Sequence, residues 1–505
     1  MQSRRACLAF AAALSLSALV ACTPAGGHPA AAPSDSAPPA SAGAPGPDRP
    51  NIVFVLTDDL STNLVPYMPN VLALQKDGTT FSNFTVTDSL CCPSRASLLT
   101  GRFPHNTGII KNHGKNGGFR LFHARGEEES TFATDVRAAG YRTAFLGKYL
   151  NEYQPGHKLG TGRPYVPPGW DEWYAGGDAY RNFNYALNEN HQVVRYGDSP
   201  ADYLTDVVAA KAGSFIAASA AARTPFLVEV STYAPHSPFT PAPRDAASFP
   251  GLTAPRTSAF DKAPTAAPAW LAGHAPLNAR KKTAINVAFR KRVQAVQAVD
   301  RMIGTLRETL RTAGVADRTI VVFNSDNGFH LGEHRLSEGK QTAFETDITV
   351  PLIVAGPGVR AGQVATGMVQ NIDLRPTFAE LAGAPVPADV DGQSIVPLLA
   401  GAAGTGEREL ALVEHLDSTN DPADPDFGEV HGDLPPTYQA LRAAGYKYVE
   451  YVDGSREYYD LTRDPNELHN TVATLPKARL AALHASLQAM KACRGQACRT
   501  ASRTP

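Results

Sequence analysis

The chain holds 505 residues, with a formal net charge of −1, 19% charged residues and six cysteines. That length allows one large domain or two, with ample apolar residue for a core. The near-neutral balance argues against a general nucleic-acid binder, the apolar content against a disordered chain, and the cysteine count against a disulfide scaffold.

The chain opens with a basic start at Arg4 and Arg5, then runs small and apolar from Leu8 to Ala21. A spanning helix needs roughly 18 apolar residues, so the shorter run predicts a signal peptide over residues 1–21. The run ends in Leu19-Val20-Ala21-Cys22, which resembles the lipobox of bacterial lipoproteins. The resemblance implies that Cys22 is lipidated and becomes the mature N-terminus. An ordinary signal peptide cleaved after a small residue is the alternative. From Thr23 to Arg49 the chain is nearly all Pro, Ala, Gly and Ser, a composition that stays extended and cannot bury a core. Residues 22–49 therefore read as a tether. The expected protein is exported and membrane-anchored through lipid alone, or otherwise secreted.

Asn51 to Thr57 is a continuous apolar run, as expected for a strand buried on both faces. Tyr141 to Gly147, Pro225 to Ser231, Thr319 to Asn324 and Val350 to Ala355 read alike. Helical patterns lie between them. In the longest, Ala284 to Arg311, apolar residues recur at helical spacing from Ile285 to Leu310, and Arg290-Lys291-Arg292 reads as the start of its solvated face. This alternation predicts an α/β fold with a large, mostly parallel sheet flanked by helices on both faces. After about Ala400 the pattern changes to short strands (Leu410 to His415, Tyr446 to Val452, Glu457 to Leu461) and a helix from about Pro476 to Met490. The expected organisation is a main domain over 50–402, a smaller antiparallel sheet plus helix over 403–492, and a tail over 493–505.

Sites in open α/β sheets form beyond the carboxyl ends of the strands. Asp58-Asp59 follow the first strand, and Ser325-Asp326-Asn327-Gly328 follow the fourth. Lys148 follows the second, and Thr232 to Pro238, containing His236, follows the third. Asp58, Asp59, Asp326 and Asn327 offer only oxygen ligands, a set suited to calcium or magnesium rather than zinc. Asp and Asn also favour turns and caps. Four of them at two strand ends point to a cation instead.

Cys91 to Arg102 reads CCPSRASLLTGR. Pro93 fits a first helical turn, where its missing amide hydrogen is not needed, and Cys91 would sit just before that helix. A small buried cysteine before a helix is the bland reading. The segment resembles the signature of the sulfatase family, Cys-x-Pro-Ser-Arg followed by Leu-Thr-Gly-Arg. In that family the first cysteine is oxidised by a dedicated formylglycine-generating enzyme to the catalytic aldehyde, formylglycine. The matching position is Cys91, not Cys92. The resemblance covers most of the chain after the tether. It implies that 50–402 is the catalytic domain. Asp58, Asp59, Asp326 and Asn327 match the metal ligands, with Cys91 as aldehyde completing the set, and calcium is favoured over magnesium. Arg95, Lys148, His236 and Lys340 match charged active-site positions. Tyr459-Asp460-Leu461 through Asp464-Pro465 to Glu467 matches the C-terminal YDL-x-x-DP-x-E element. The stretches around Lys148, His236 and Asn327 are similar to N-acetylglucosamine 6-O-sulfatases. Many arylsulfatases carry a histidine where this chain has Leu150, and His330 is the favoured stand-in, with Asn151 behind it.

The implied activity is sulfate-ester hydrolysis on sulfated carbohydrates or aryl sulfates. A phosphonate or phosphate monoester hydrolase of the same superfamily is the alternative, and a non-catalytic sulfated-glycan-binding lipoprotein a third reading. Tyr149, Tyr153, Trp170 and Trp173 could line a sugar cleft, although such aromatics are more often core. Cys493 and Cys498 are expected to form a disulfide outside the cytoplasm.

Overall fold

The computed structural model describes residues 49–401, 408–417 and 434–503. The signal peptide, Cys22 and all of the expected tether but Arg49 lie outside these residues.

The central sheet has ten strands. Asn51–Thr57 sits in its middle, pairing in parallel with Phe226–Ser231 on one side and Thr319–Ser325 on the other. Phe226–Ser231 in turn pairs in parallel with Arg142–Lys148, and that strand with Glu172–Gly176. The register aligns the carboxyl ends: Leu56 and Gly147 both lie opposite Ser231, and Thr57 lies opposite Ser325. Every residue of Asn51–Thr57 is buried. Val53 and Val55 pack on one face, against the helices Leu204–Ala221 and Ala279–Thr312. Ile52, Phe54 and Leu56 pack on the other, against Cys91–Thr100, Phe132–Ala138 and Leu374–Ala382. Each such side chain contributes about 1.5–3 kcal/mol of burial, so a strand loaded on both faces anchors both layers.

Three features depart from the expectation. Leu352–Ala355 runs antiparallel to both its neighbours, Thr319–Ser325 and Gly78–Phe81. A continuous apolar run encodes burial on two faces but not direction. Beyond Glu172–Gly176 the sheet ends in an antiparallel ribbon, Ala186–Glu189 and Gln192–Arg195, whose outer strand is largely exposed and offers only the two adjacent valines Val193 and Val194 as an apolar signal. Arg292 is fully buried rather than part of a solvated face. It shares the apolar face of its helix with Phe289, Val293 and Val296, and its guanidinium donates to the Asp59 carbonyl (2.5 Å) and lies over the Phe329 ring (4.2 Å).

The separate C-terminal sheet has four antiparallel strands: Ala411–His415, Tyr438–Ala443, Tyr446–Tyr451 and Arg456–Asp460. Leu483, Leu487 and Met490 of the helix Lys477–Ala492 pack on it. The strand Tyr438–Ala443 is one the sequence pattern does not announce. A disulfide joins Cys493 and Cys498.

Candidate active site

The helix Cys91–Thr100 is buried along its whole length and ends at Gly101, whose φ of 67° is left-handed. Cys91 is its first residue, one position further in than the sequence suggests. The start is pinned from three sides. The Cys92 amide donates to Asn112 (3.0 Å), the Ser94 hydroxyl donates to the Asp326 carbonyl, and Asn371 donates to the Ser94 hydroxyl (2.9 Å).

These bonds hold the Cys91 thiol over the strand ends. Its Sγ lies 3.3 Å from Asp58 Oδ1 and 3.9 Å from Asp59 Oδ1, and Lys340 Nζ donates to it at 3.0 Å. Lys148 Nζ donates to Asp58 Oδ2 (2.7 Å) and Lys340 Nζ to Asp59 Oδ1 (2.7 Å). His236 Nδ1 is fixed against the Ser237 carbonyl (2.9 Å), which turns Nε2 toward Asp59 Oδ2 at 3.6 Å. Asp58, Asp59, Cys91 and His236 present ligand atoms all within 4.8 Å of one another. Asp326 and Asn327 join from the next strand: Asp326 Oδ1 accepts the Asp59 amide (3.1 Å), and the Asn327 carboxamide donates to Asp59 Oδ1 (2.6 Å). Arg95 reaches back from the helix to Asp326 (2.7 Å), the Lys148 carbonyl (2.8 Å) and Ser231 Oγ (2.6 Å), with Asp58 at 3.8 Å.

Three carboxylates thus face three fixed cations in a buried centre. Burial raises the Asp58 carboxyl above its ordinary range, although Lys148 opposes this. Burial acts the same way on Asp326, but Arg95, Lys148 and Lys340 outweigh it and bring that carboxyl down to about 2. The Cys91 thiol is pushed well up, by burial and then by Asp58, against the pull of Lys148 and Lys340. An unmodified Cys91 is therefore a neutral thiol and a poor nucleophile.

The backbone accepts strain to build this arrangement. Asp59 has a φ of 62°, a left-handed conformation uncommon outside glycine. Gly147 precedes Lys148 with φ 102°, and a Cβ there would lie 1.8 Å from the Ser231 carbonyl oxygen. Only glycine lets the lysine strand pass so close to its neighbour.

The donor set fits a hard divalent cation. Asp59 Oδ2 and Asn327 Oδ1 are buried oxygens that accept no hydrogen bond. Leaving such atoms unpaired is costly unless a ligand takes them.

Other expected residues divide. His330 is buried and its Nδ1 lies 2.9 and 3.0 Å from the two Asp347 oxygens. Leu150 is buried in the core, and Asn151 donates to the Tyr180 hydroxyl at 3.5 Å. Tyr149, Tyr153, Trp170 and Trp173 are core: they are buried and stack on one another and on Phe145. Tyr180 escapes a reading of strand ends, because it lies in a loop beyond Glu172–Gly176. Its ring sits 5.0 Å from Lys148 Nζ and 4.5 Å from the His236 ring. Ser231 also escapes it, being the last residue of an apolar strand.

Similarity to known proteins extends over most of the chain. The sulfatase family profile matches residues 50–384, and that of the N-sulphoglucosamine sulphohydrolase C-terminal region matches 332–492. N-acetylglucosamine-6-sulfatase of Homo sapiens is 34% identical over 484 residues, 90% of this chain and 87% of that protein. The extracellular sulfatase SULF-1 homolog of Drosophila melanogaster is 37% identical over 358 residues, 70% of this chain and 31% of that protein. A solved complex of a protein with its substrate D-glucosamine-2-N,6-O-disulfate superposes with a TM-score of 0.70 at 24% identity, covering 87% of this chain and 97% of that one. The phosphonate monoester hydrolase of Agrobacterium radiobacter superposes with a TM-score of 0.65 at 21% identity, covering 88% and 96%. The chain belongs to the sulfatase family.

Proposed function

We propose that this protein is a sulfuric ester hydrolase acting on sulfated sugars, with aryl sulfates as small test substrates. The observation that carries it is the Cys91 thiol held between Asp58, Asp59 and Lys340 at 3.3, 3.9 and 3.0 Å. The names of the relatives and the ligand of the superposing complex support a sulfated sugar as substrate.

Cys91 is converted to formylglycine by a formylglycine-generating enzyme. Once hydrated, that group would supply a nucleophilic hydroxyl toward sulfur and a second hydroxyl able to release the sulfate. Asp58, Asp59, Asp326, Asn327 and the modified residue 91 would hold one calcium ion, with magnesium as the alternative, and the ion supplies charge neutralisation and a lowered hydroxyl pKa. The remaining work falls to the chain. Arg95 keeps Asp326 ionised and turned to the centre. Lys148 and Lys340 hold sulfate oxygens and offset their charge. His236, with Lys340 beside it, gives the proton to the leaving oxygen, which an alkoxide needs more than a phenoxide does. His330 would handle the diol proton in place of the residue replaced by Leu150. The phosphonate hydrolase that shares the fold keeps phosphate and phosphonate esters as the second reading.

We also propose export, with anchoring through Cys22. The Cys493–Cys498 disulfide suits an oxidising compartment, and relatives named extracellular sulfatases agree.

Mass spectrometry of the Cys91 peptide from the native host should show the aldehyde, lighter than cysteine. Persistent cysteine would overturn the mechanism. Cys91→Ala should abolish turnover while leaving the melting temperature near wild type. Comparing sulfate, phosphate and phosphonate esters ranks the two enzyme readings.

A further inference from the structure

Two active-site residues, Asn327 and Lys340, lie on segments fastened to one short turn. That turn, Glu345–Ile348, meets none of Asp58, Asp59, Cys91 or His236 directly and touches the proposed machinery through His330 alone. Past Asn327, the amides of Gly328 and Phe329 donate to the carbonyls of Asp347 (2.8 Å) and Thr346 (3.0 Å). A Cβ at Gly328 would lie 2.1 Å from the Thr346 carbonyl oxygen, so the approach requires glycine. Past Lys340, the amide and hydroxyl of Thr342 donate to Asp347 Oδ2 at 3.1 and 2.6 Å. His330 bonds the same carboxylate. The Lys340 segment is also laced to the loop leading into Cys91, through Ser89 Oγ to the Thr342 carbonyl (2.9 Å) and the Gln341 amide to the Ser89 carbonyl (3.2 Å).

The turn is held from the C-terminal sheet. Glu467, the last residue of the YDL-x-x-DP-x-E element, is buried, and its Oε2 accepts the Glu345 amide at 2.8 Å. Lys447, also buried, pairs with Glu467 and approaches Glu345 Oε1 at 3.8 Å. Arg442 adds bonds to Glu345 at 3.0 and 3.3 Å. A charged group removed from this network leaves its partner buried and uncompensated.

We infer that Glu467, backed by Lys447, is a positioning residue for the reaction: it sets the turn that places Lys340 and Asn327. The inference deepens the sulfatase reading and rests on it. Sub-ångström placement matters because the Lys340 ammonium must meet charge only as it develops on the ester. Lys340 and the proposed proton donor His236 meet the same carboxylate, Asp59, at 2.7 and 3.6 Å, so displacing Lys340 should slow a poor leaving group more than a good one. A merely structural role would lower both alike, in step with the folded fraction.

The test compares Glu467→Ala, Glu467→Gln and Glu467→Asp with wild type on an N-acetylglucosamine 6-sulfate and on 4-nitrophenyl sulfate, per folded molecule. Glu467→Ala should lower kcat on the sugar sulfate by about tenfold or more, with KM within about twofold and a smaller loss on the aryl sulfate. Glu467→Gln keeps an acceptor for the Glu345 amide and should recover most of the sugar activity. If Glu467→Ala does not fold, Glu467→Asp keeps the charge, withdraws the carboxylate by one methylene and should show the same selective loss. An unchanged ratio of sugar to aryl turnover in the folded variants would overturn the inference. Failure of the sulfatase reading shows separately, as wild type releasing no sulfate. The alkyl-to-aryl ratio is then read on phosphonate esters.

Discussion

Arg95 is the most heavily committed side chain in the site. Its guanidinium bonds Asp326, the Lys148 carbonyl and Ser231 at once. A lysine cannot reproduce that fork. Arg95→Lys should therefore cost about 3–6 kcal/mol, from two lost charge-assisted bonds, and lower kcat/KM by at least about 100-fold. Thermal melts and steady-state kinetics check the two effects. Glu229 poses the opposite problem. It lies fully buried on the strand Phe226–Ser231, and its Oε2 accepts no hydrogen bond. Burial raises its carboxyl from 4.5 to about 8, with only Arg95 pulling down. Between those values the folded protein holds a proton that the unfolded chain has released, so stability falls as pH rises through the window. Glu229→Gln should match wild type in stability near pH 4 and exceed it near pH 8, as read by circular dichroism melts.

Among the elements, the Cys493–Cys498 link closes a loop with a sequence separation of 5. Loop-closure entropy for so short a span amounts to about 2 kcal/mol. Replacing both cysteines with serine should lower stability by no more than about that amount and leave kcat unchanged, because the link lies among the residues under the C-terminal sheet. The long helix Ala279–Thr312 shows how a pattern is misread. Its basic triplet draws the eye as a charge cluster, yet Arg292 keeps the three- and four-residue spacing of the apolar face, and that spacing decides its burial. The strands with continuous apolar runs were legible to within about two residues. The ribbon Ala186–Glu189 and Gln192–Arg195 was not, because its strands are four residues long and their few apolar residues sit between polar ones at an exposed edge.

At the scale of the molecule, the sheet gathers three carboxylates and an amide at one rim, and a divalent cation held there would couple to stability. Chelation should lower both turnover and the melting temperature. Calcium at about 100 times its dissociation constant should restore about 2.7 kcal/mol, and calorimetry with calcium and magnesium in parallel tells which ion the site prefers. The C-terminal sheet belongs to the same centre, since Glu414 of its first strand donates its amide to the Thr87 carbonyl and Glu467 grips the turn beyond Lys340.

By itself, the sequence determined the strand–helix alternation, the residues at each strand end and the cysteine of the signature segment. All of these are local: period, burial on two faces and a short motif are written in consecutive residues. Tertiary structure alone decided which way Leu352–Ala355 runs, that Arg292 supports the Asp59 backbone, that Tyr180 lies against Lys148 and His236, and that Glu467 meets Glu345. Each of these depends on partners far apart in the chain, whose approach is set by how layers pack and not by any pattern within one element.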